Sequence, residues 1–215
     1  MMTHDKNAVR KILDQAKTAK REALTAPEAR GICEAYGIVI PKEGVAKTAD
    51  EAVKLASEIG FPVVMKIVSP QILHKTEAGG VIVGVKSAEA AKDAYTAIVG
   101  NAKKYDASAE ILGVQVQQML TGGQEVIIGA VTDPAFGKLV AFGLGGILVE
   151  VLKDITFRLA PATEEDALSM LDGIAAAEIL RGVRGAKPVN RAALAGMIEK
   201  VSTLVADFRK YRKWT

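Results

Sequence analysis

Apolar residues recur along the chain with two different periods, and the changes from one period to the other mark the elements. From Thr25 the string TAPEARGICEAYG reads as a helix, with Thr25 as a capping side chain, Pro27 in the first turn, Glu28 completing a capping box and Gly37 ending the run. The short apolar run from Ile38 to Pro41 predicts a strand. TADEAVKLASEIG repeats the helical pattern: Thr48 and Glu51 form the box, Ala52, Leu55, Ala56 and Ile59 share one face, and Gly60 stops it. FPVVMKIV, residues 61–68, is a continuous β-rich run broken only by Lys66, and residues 81–85 are a second strand across the loop SPQILHKTEAGG. Ser87 opens a further helix with Ala91, Ala94, Tyr95 and Ile98 aligned. Val114 to Met119 and Glu125 to Val131 are expected strands on either side of the turn LTGGQ.

The second half continues in the same mixed style. A strand from Leu139 runs into the glycine turn GLGG, another strand is expected around Ile147 to Leu152, and Thr163 opens a helix with Ala167, Met170, Leu171 and Ile174 inward. Asn190 caps a last helix whose stripe of Leu194, Met197, Ile198, Val201, Leu204, Val205 and Phe208 needs a surface to pack on. Asp133 with Pro134 reads as a turn. No internal repeat or low-complexity segment interrupts the pattern, and the chain is expected to be α+β.

Lys66 carries the first chemical signal. Desolvating an ammonium inside an apolar strand costs several kcal/mol unless an anion or carboxylate offsets it. The alternative is that Lys66 lies at a strand end with its head in water. Within about a dozen residues follow His74, Lys75, Gly79 and Gly80, and glycine lets backbone amides approach phosphate oxygens. Two strands flanking a cationic, glycine-bearing loop suit a nucleotide's phosphates, although a glycine pair alone is equally a hairpin turn. His74 is a competent nucleophile toward phosphorus, or else a loop histidine that bonds its surroundings. A second charged cluster, Glu150, Asp154 and Arg158, follows the turn from Gly143 to Gly146. It offers either a guanidinium fork to phosphate or an internal acid–arginine pair.

Composition narrows the classes. With 215 residues, 49% hydrophobic and 25% charged, the chain can bury a sizeable core. The apolar stretch Leu139 to Val149 falls short of the roughly 20 residues a bilayer span needs. The polar N-terminus MMTHDKNAVRK lacks a secretory pattern, and a single cysteine, Cys33, fits a small core residue in a reducing compartment. A cytoplasmic, soluble protein is expected. The net charge of +3 is spread out and calls for neither nucleic acid nor membrane. The tail cations Arg209, Lys210, Arg212 and Lys213, with Tyr211 and Trp214, could form a stacking patch for nucleic acid. They read better as charges suited to a helix C-terminus.

Three long strings, FPVVMKIVSPQILHKTEAGGV, GGQEVIIGAVTDPAFG and VAFGLGGILVEVLKDITFRLAP, resemble the ATP-grasp subunit or domain of NDP-forming acyl-CoA synthetases, such as ADP-forming acetate:CoA ligase. The likeness runs from about Thr25 to Phe208. It implies a two-lobed ATP-grasp fold: residues 1–24 as a tail or linker helix, 25–117 as the first lobe and 118–215 as the second. It also implies reversible conversion of acyl-CoA, phosphate and ADP into carboxylate, CoA and ATP, through an acyl phosphate and a phosphohistidine. A CoA-binding alpha subunit or fused domain is the implied partner, so a hetero-oligomer or a longer chain is expected. Carried over residue by residue, Lys66 holds the nucleotide's phosphates. Lys75, Gly79, Gly80 and Val81 belong to the loop over them, and His74 passes the phosphoryl group. Gln117, Gln118 and Met119 match the hinge, where backbone meets adenine and Gln118 reaches the ribose. Glu125 matches a nucleotide contact, with a solvent-facing strand residue as the alternative.

ATP or ADP and Mg2+ are the implied cofactors, but the family's Asp-x-Asn-Pro strand, which supplies metal ligands after the last helix, has no match: no Asn-Pro pair occurs. No metal ligand is assigned, the second lobe is expected to be incomplete, and the apolar stripe of the last helix is expected to lie uncovered. Alternatives are a non-catalytic nucleotide-binding module and a subunit of a succinate:CoA-type ligase.

Overall fold

Seven helices and seven strands are defined over residues 4–146, 153–183 and 185–210, the residues that this computed structural model describes. They sort into two units: one formed by residues up to 35 together with 39–121, the other by residues 36–38 together with the described residues from 122 onward.

In the first unit, α1 (Lys6–Thr18) buries Val9, Leu13 and Ala16 and packs on α2 (Ala26–Ala35). The remaining elements are β1 (Glu43–Ala46), α3 (Ala49–Ile59), β2 (Val63–Val68), β3 (Val81–Val85), α4 (Ala88–Tyr105) and β4 (Gly113–Gln118). The strands make an antiparallel sheet in the order β1-β4-β2-β3. Thr48 and Ser87 cap α3 and α4, each hydroxyl accepting the amide three residues on. Both helices turn alanines to the sheet: Ala52 and Ala56, and Ala91, Ala94 and Ala102, are buried in one cluster with Met65, Ile67, Val114 and Val116. Small side chains let helix backbone lie close to strand backbone, so the core fills without large aromatics. Gly113, at φ 142°, is required where β4 enters the sheet, because a Cβ there would stand 2.4 Å from the Ala46 carbonyl oxygen.

One expectation is corrected here. The strand predicted at Ile38 to Pro41 forms instead at residues 43–46, where Ala46 reaches the core; Val39 is 81% exposed, and Pro41 has no N–H for a ladder. The strands expected on either side of LTGGQ are present: β4 lies in the first sheet, and β5 (Val126–Asp133) lies in the second.

The second unit pairs β5 with β6 (Gly137–Leu144) and β6 with β7 (Ile155–Leu159). Asp133 makes the expected turn, its carboxylate accepting the amides of Ala135 and Phe136. The sequence reading missed β7, and the strand expected around Ile147 to Leu152 lies outside the described residues. Helix α5 (Glu164–Gly173) opens on a complete capping box between Thr163 and Asp166, followed by α6 (Ala177–Arg181) and α7 (Arg191–Asp207). The apolar stripe of α7 is not left open. Ile198, Leu204 and Val205 are buried, the helix packs on α5, β5 and β6, and Phe208 meets the ring of Tyr36 edge-on at 6.5 Å. Helix α5 and strands β5 and β6 cover it.

Glu28 anchors the start of α2. Its carboxylate accepts both the amide and the hydroxyl of Thr25 at 2.8 Å and is forked onto Arg21. This is half of the expected capping box, since the Thr25 hydroxyl donates to Glu28. The guanidinium above all, with the Thr25 donors, holds the Glu28 carboxyl down at about 2, against partial burial that pushes it up. A depressed carboxyl stabilises the fold fully above its unfolded value near 4.5, and that stabilisation disappears as pH falls toward about 2. Urea unfolding of the native chain should therefore lose roughly 2–3 kcal/mol more than Glu28→Gln between those limits. Parallel pH profiles of the two proteins would contradict the pairing.

Candidate functional site

Alternation along β2 sends Met65 and Ile67 into the core and Val64 and Lys66 to the opposite face. Lys66 lies within the strand, half-buried, with Gln115 of β4 and Val81 of β3 as its register neighbours. Its ammonium donates to Gln117 Oε1 at 2.9 Å, and Gln117 Nε2 donates to the Glu43 carboxylate at 2.6 Å. The partner expected of Lys66 is thus a neutral amide backed by an acid. Among the described residues no carboxylate lies within ion-pair reach of the ammonium, which keeps donors to spare.

The loop from Ser69 to Gly80 lies between β2 and β3. Ser69 Oγ accepts the amides of Gln71 and Ile72, and Ile72 is buried as an apolar anchor. Residues 74–80 form a helical turn: the amides of Ala78, Gly79 and Gly80 donate to His74, Thr76 and Lys75. The carbonyl of Gly80 accepts from Ile67, and that of Gly79 from Asn101 Nδ2. The two glycines therefore do not present their amides to a ligand. They shape the turn: Gly79 has φ 60°, and a Cβ on Gly80 would stand 2.5 Å from Ile67 Cγ2. The amides of Lys75, Thr76 and Glu77, at the start of the turn, have no acceptor among the described residues, which makes a small concentration of positive dipole.

Lys75 is half-buried beside Lys66. Burial, first, and the Lys66 charge, second, hold its ammonium below the usual lysine range, and Glu43 opposes them. His74 is 75% exposed, its Nδ1 at 3.8 Å from Glu77 Oε1, longer than a hydrogen bond. Two ammonium groups under mutual repulsion, with spare donors and open amides beside them, are built to be relieved by a multiply charged anion.

The other expected residues are placed as follows. Gln118 pairs with Lys42, its amide donating to the Lys42 carbonyl at 2.8 Å and its side-chain oxygen facing the Lys42 amide at 3.5 Å. The Met119 amide donates to the Pro62 carbonyl. In the second unit, Glu125 immediately precedes β5. Its carbonyl accepts the Gly145 amide, and its carboxylate lies where a Cβ on Gly146 would be crowded, at 2.9 Å. Arg158 donates to Ser169 Oγ at 2.9 Å and to the Phe157 carbonyl. Of the two alternatives left open for this cluster, an internal pair of Arg158 with Asp154 is not made, because both Asp154 oxygens take the amides of Ala175 and Ala176 ahead of α6. Glu150 and residues 211–215 lie outside the described residues; Arg209 does turn to the Ala206 carbonyl at the end of α7. Cys33 is half-buried, with a thiol pushed up by burial and by Glu43 and Glu34, so it is not activated. Among the described residues no three histidine, cysteine or acidic side chains converge as metal ligands. No helix among them is long and apolar enough to cross a membrane.

The described residues make two units of helices and antiparallel sheet, one of them with Lys66 on a strand that leads into a cationic loop. The chain belongs to the ATP-grasp domain family, whose description matches residues 15–213, and such domains bind a nucleotide. It is similar to the beta subunit of ADP-forming acetate–CoA ligase I of Pyrococcus furiosus, 50% identical over 204 residues that span 95% of this chain and 88% of that one. A Pyrococcus horikoshii protein of known crystal structure superposes with a TM-score of 0.91 at 46% identity, covering 97% of this chain and 88% of that chain. An acetyl-coenzyme A synthetase of Candidatus Korarchaeum cryptofilum, solved with coenzyme A and Ca-AMPCP, gives a TM-score of 0.88 at 42% identity, covering 92% of this chain and 86% of that chain.

Sequence reading missed Glu43. The signal was present in the alternating string GVQVQQ, which puts Gln115 and Gln117 on the Lys66 face, but with the first strand placed at residues 38–41 nothing aligned Glu43 opposite Gln117. If Lys66 charge depresses Lys75, Lys66→Met should move the Lys75 titration upward, toward that of an exposed lysine, as read by NMR of the lysine side chains. An unchanged Lys75 would show that the two ammoniums do not sense each other.

Proposed function

We propose that this chain is the nucleotide-binding subunit or domain of an ADP-forming acyl-CoA synthetase, exchanging phosphate between ADP or ATP and His74. The observation that carries the reading is the half-buried pair of Lys66 and Lys75, in which burial and the Lys66 charge hold the Lys75 ammonium below the usual lysine range and neither lysine has a direct carboxylate among the described residues. A nucleoside polyphosphate supplies the missing negative charge. Its phosphates are taken by Lys66, Lys75 and the amides at residues 75–77. The backbone of Gln117 to Met119 meets the base, and Gln118 reaches the ribose on leaving Lys42. Gly79, Gly80 and Val81 keep the loop in register over the phosphates. Glu125 and Arg158 belong to the second unit and are assigned there by themselves, Glu125 to a nucleotide contact and Arg158 to a phosphoryl group, each exchanging its present contact for the ligand.

Exposure of His74 suits a phosphoryl carrier, because a buried imidazole could not be visited by a second site. In the direction of ATP synthesis, an oxygen of the ADP β-phosphate attacks the phosphorus of phosphorylated His74. The N–P bond breaks, its electron pair stays on the imidazole, and the ring takes a proton from solvent as ATP forms. Lys66 and Lys75 neutralise charge gathering on the transferred group. Magnesium accompanies the nucleotide in this chemistry, but the part of the described residues is binding, charge neutralisation and phosphoryl carriage. A CoA-binding alpha subunit or fused domain delivers the phosphoryl group from acyl phosphate, which accords with the "subunit beta" of the Pyrococcus furiosus relative's name. That partner selects the acid, and the pair works in the cytoplasm.

The test is calorimetric titration with ADP, together with phosphate transfer from labelled ATP in the presence of magnesium and a CoA-binding partner chain. Lys66→Ala should weaken nucleotide binding roughly 100-fold. His74→Asn should bind as the native chain does and take up no label. Binding without any label on the native His74 would favour a non-catalytic nucleotide-binding module, and equal affinity in all three proteins would remove the site assignment.

A further inference from the structure

We infer that Glu43 is a positioning residue of the nucleotide site, acting on the phosphates through the side-chain amide of Gln117; the inference rests on the reading proposed above. Glu43 and Gln117 are register partners on β1 and β4 and so point to the same face. A glutamine amide can present either its oxygen or its nitrogen, and the nitrogen would set donor against donor in front of the Lys66 ammonium. A carboxylate accepts only. By taking Gln117 Nε2 at 2.6 Å, Glu43 fixes the amide so that Oε1 faces Lys66, which it meets at 2.9 Å. The ammonium is thereby held in one place before any ligand arrives, and its remaining donors are aimed off the sheet.

The strand bearing Glu43 is itself secured, since the Arg30 guanidinium donates to the Glu43 backbone carbonyl and the β1–β4 ladder runs from Glu43↔Gln117 to Ala46↔Val114. The carboxylate also lies close enough to oppose the depression of Lys75. One acid thus serves two cations without pairing directly with either, so it neutralises part of their repulsion and leaves their hydrogen-bond donors to the ligand. A direct salt bridge from Glu43 to Lys66 would satisfy the same charge but would have to be broken before a phosphate could bind.

The experiment compares ADP and adenosine binding to the native chain, Glu43→Ala, Gln117→Ala, the double variant and Lys66→Ala. Glu43→Ala should weaken ADP about tenfold, the size of one charge-assisted hydrogen bond, and leave adenosine unchanged, because adenosine has no phosphate. A collapsed sheet would weaken both. The double variant should bind ADP no more weakly than Gln117→Ala, since Glu43 works through that amide. ADP affinity in Glu43→Ala equal to or tighter than native, or a double variant whose losses add, overturns the inference while the nucleotide site stands. Full ADP binding by Lys66→Ala overturns the proposed function itself.

Discussion

The site depends on repulsion between two ammonium groups held near each other by a sheet and a loop. Lys66 is fixed by β2, whose alternation leaves it no choice of face, and Lys75 is fixed by a turn closed through Gly80 and Ile67. Both lysines are half-buried, so water screens their charges less than it would on the open surface. The Lys66 charge reaches Lys75, and an anion placed between them relieves that repulsion. The rest of the first unit serves to keep that arrangement from relaxing on its own.

The turn is rigid for reasons that have little to do with ligands. A side chain on Gly80 would strike Ile67, the residue after Lys66, so the backbone of the loop presses directly on the strand it covers. Asn101, reaching from α4 to the Gly79 carbonyl, ties the same turn to the helix layer behind the sheet. The alanine faces of α3 and α4 keep that layer close, which is what lets an asparagine on a helix reach a loop carbonyl. Core packing and site geometry are therefore one construction in this unit: Ile67 in the core and Asn101 on α4 together determine where the turn can sit.

Most of the fold was legible because its signals are local. Capping hydroxyls at Thr48, Ser87 and Thr163 and the cap at Asn190 announced four helices, and runs of β-rich apolar residues announced β2, β3, β4, β5 and β6. What escaped needed long-range information. The strand at residues 43–46 contains Glu43 and Gly44 and carries a weak apolar signal; it is a strand because β4 offers it partners. β7, reading ITFRL, is a short strand that among the described residues pairs with β6 alone. In the candidate site, Lys66, His74 and Lys75 stood out in the sequence as cationic or nucleophilic residues against their context. The relay through Gln117 to Glu43 was not, since it joins residues more than seventy positions apart. The glycine pair was legible as a constraint but not as to its kind: sequence cannot distinguish a glycine that offers its amide to a ligand from one that merely lets the chain pass.

That distinction matters to the proposed function. With the Gly79 and Gly80 amides committed to Thr76 and Lys75, the open donors sit at the other end of the turn, at residues 75–77, next to His74 in the chain. In the proposed reading the positive end of the turn, and not the glycines, meets a phosphoryl group on the imidazole. Burial then divides the proposed labour between neighbours in sequence. Lys75 is half-buried and is assigned the grip, while His74 is exposed and can be reached from outside. A carrier must be accessible to two sites in turn, whereas a grip must be pre-set against one. A single turn of helix, with its dipole pointing at the step between the two residues, satisfies both demands, because adjacent side chains on it diverge by about 100°.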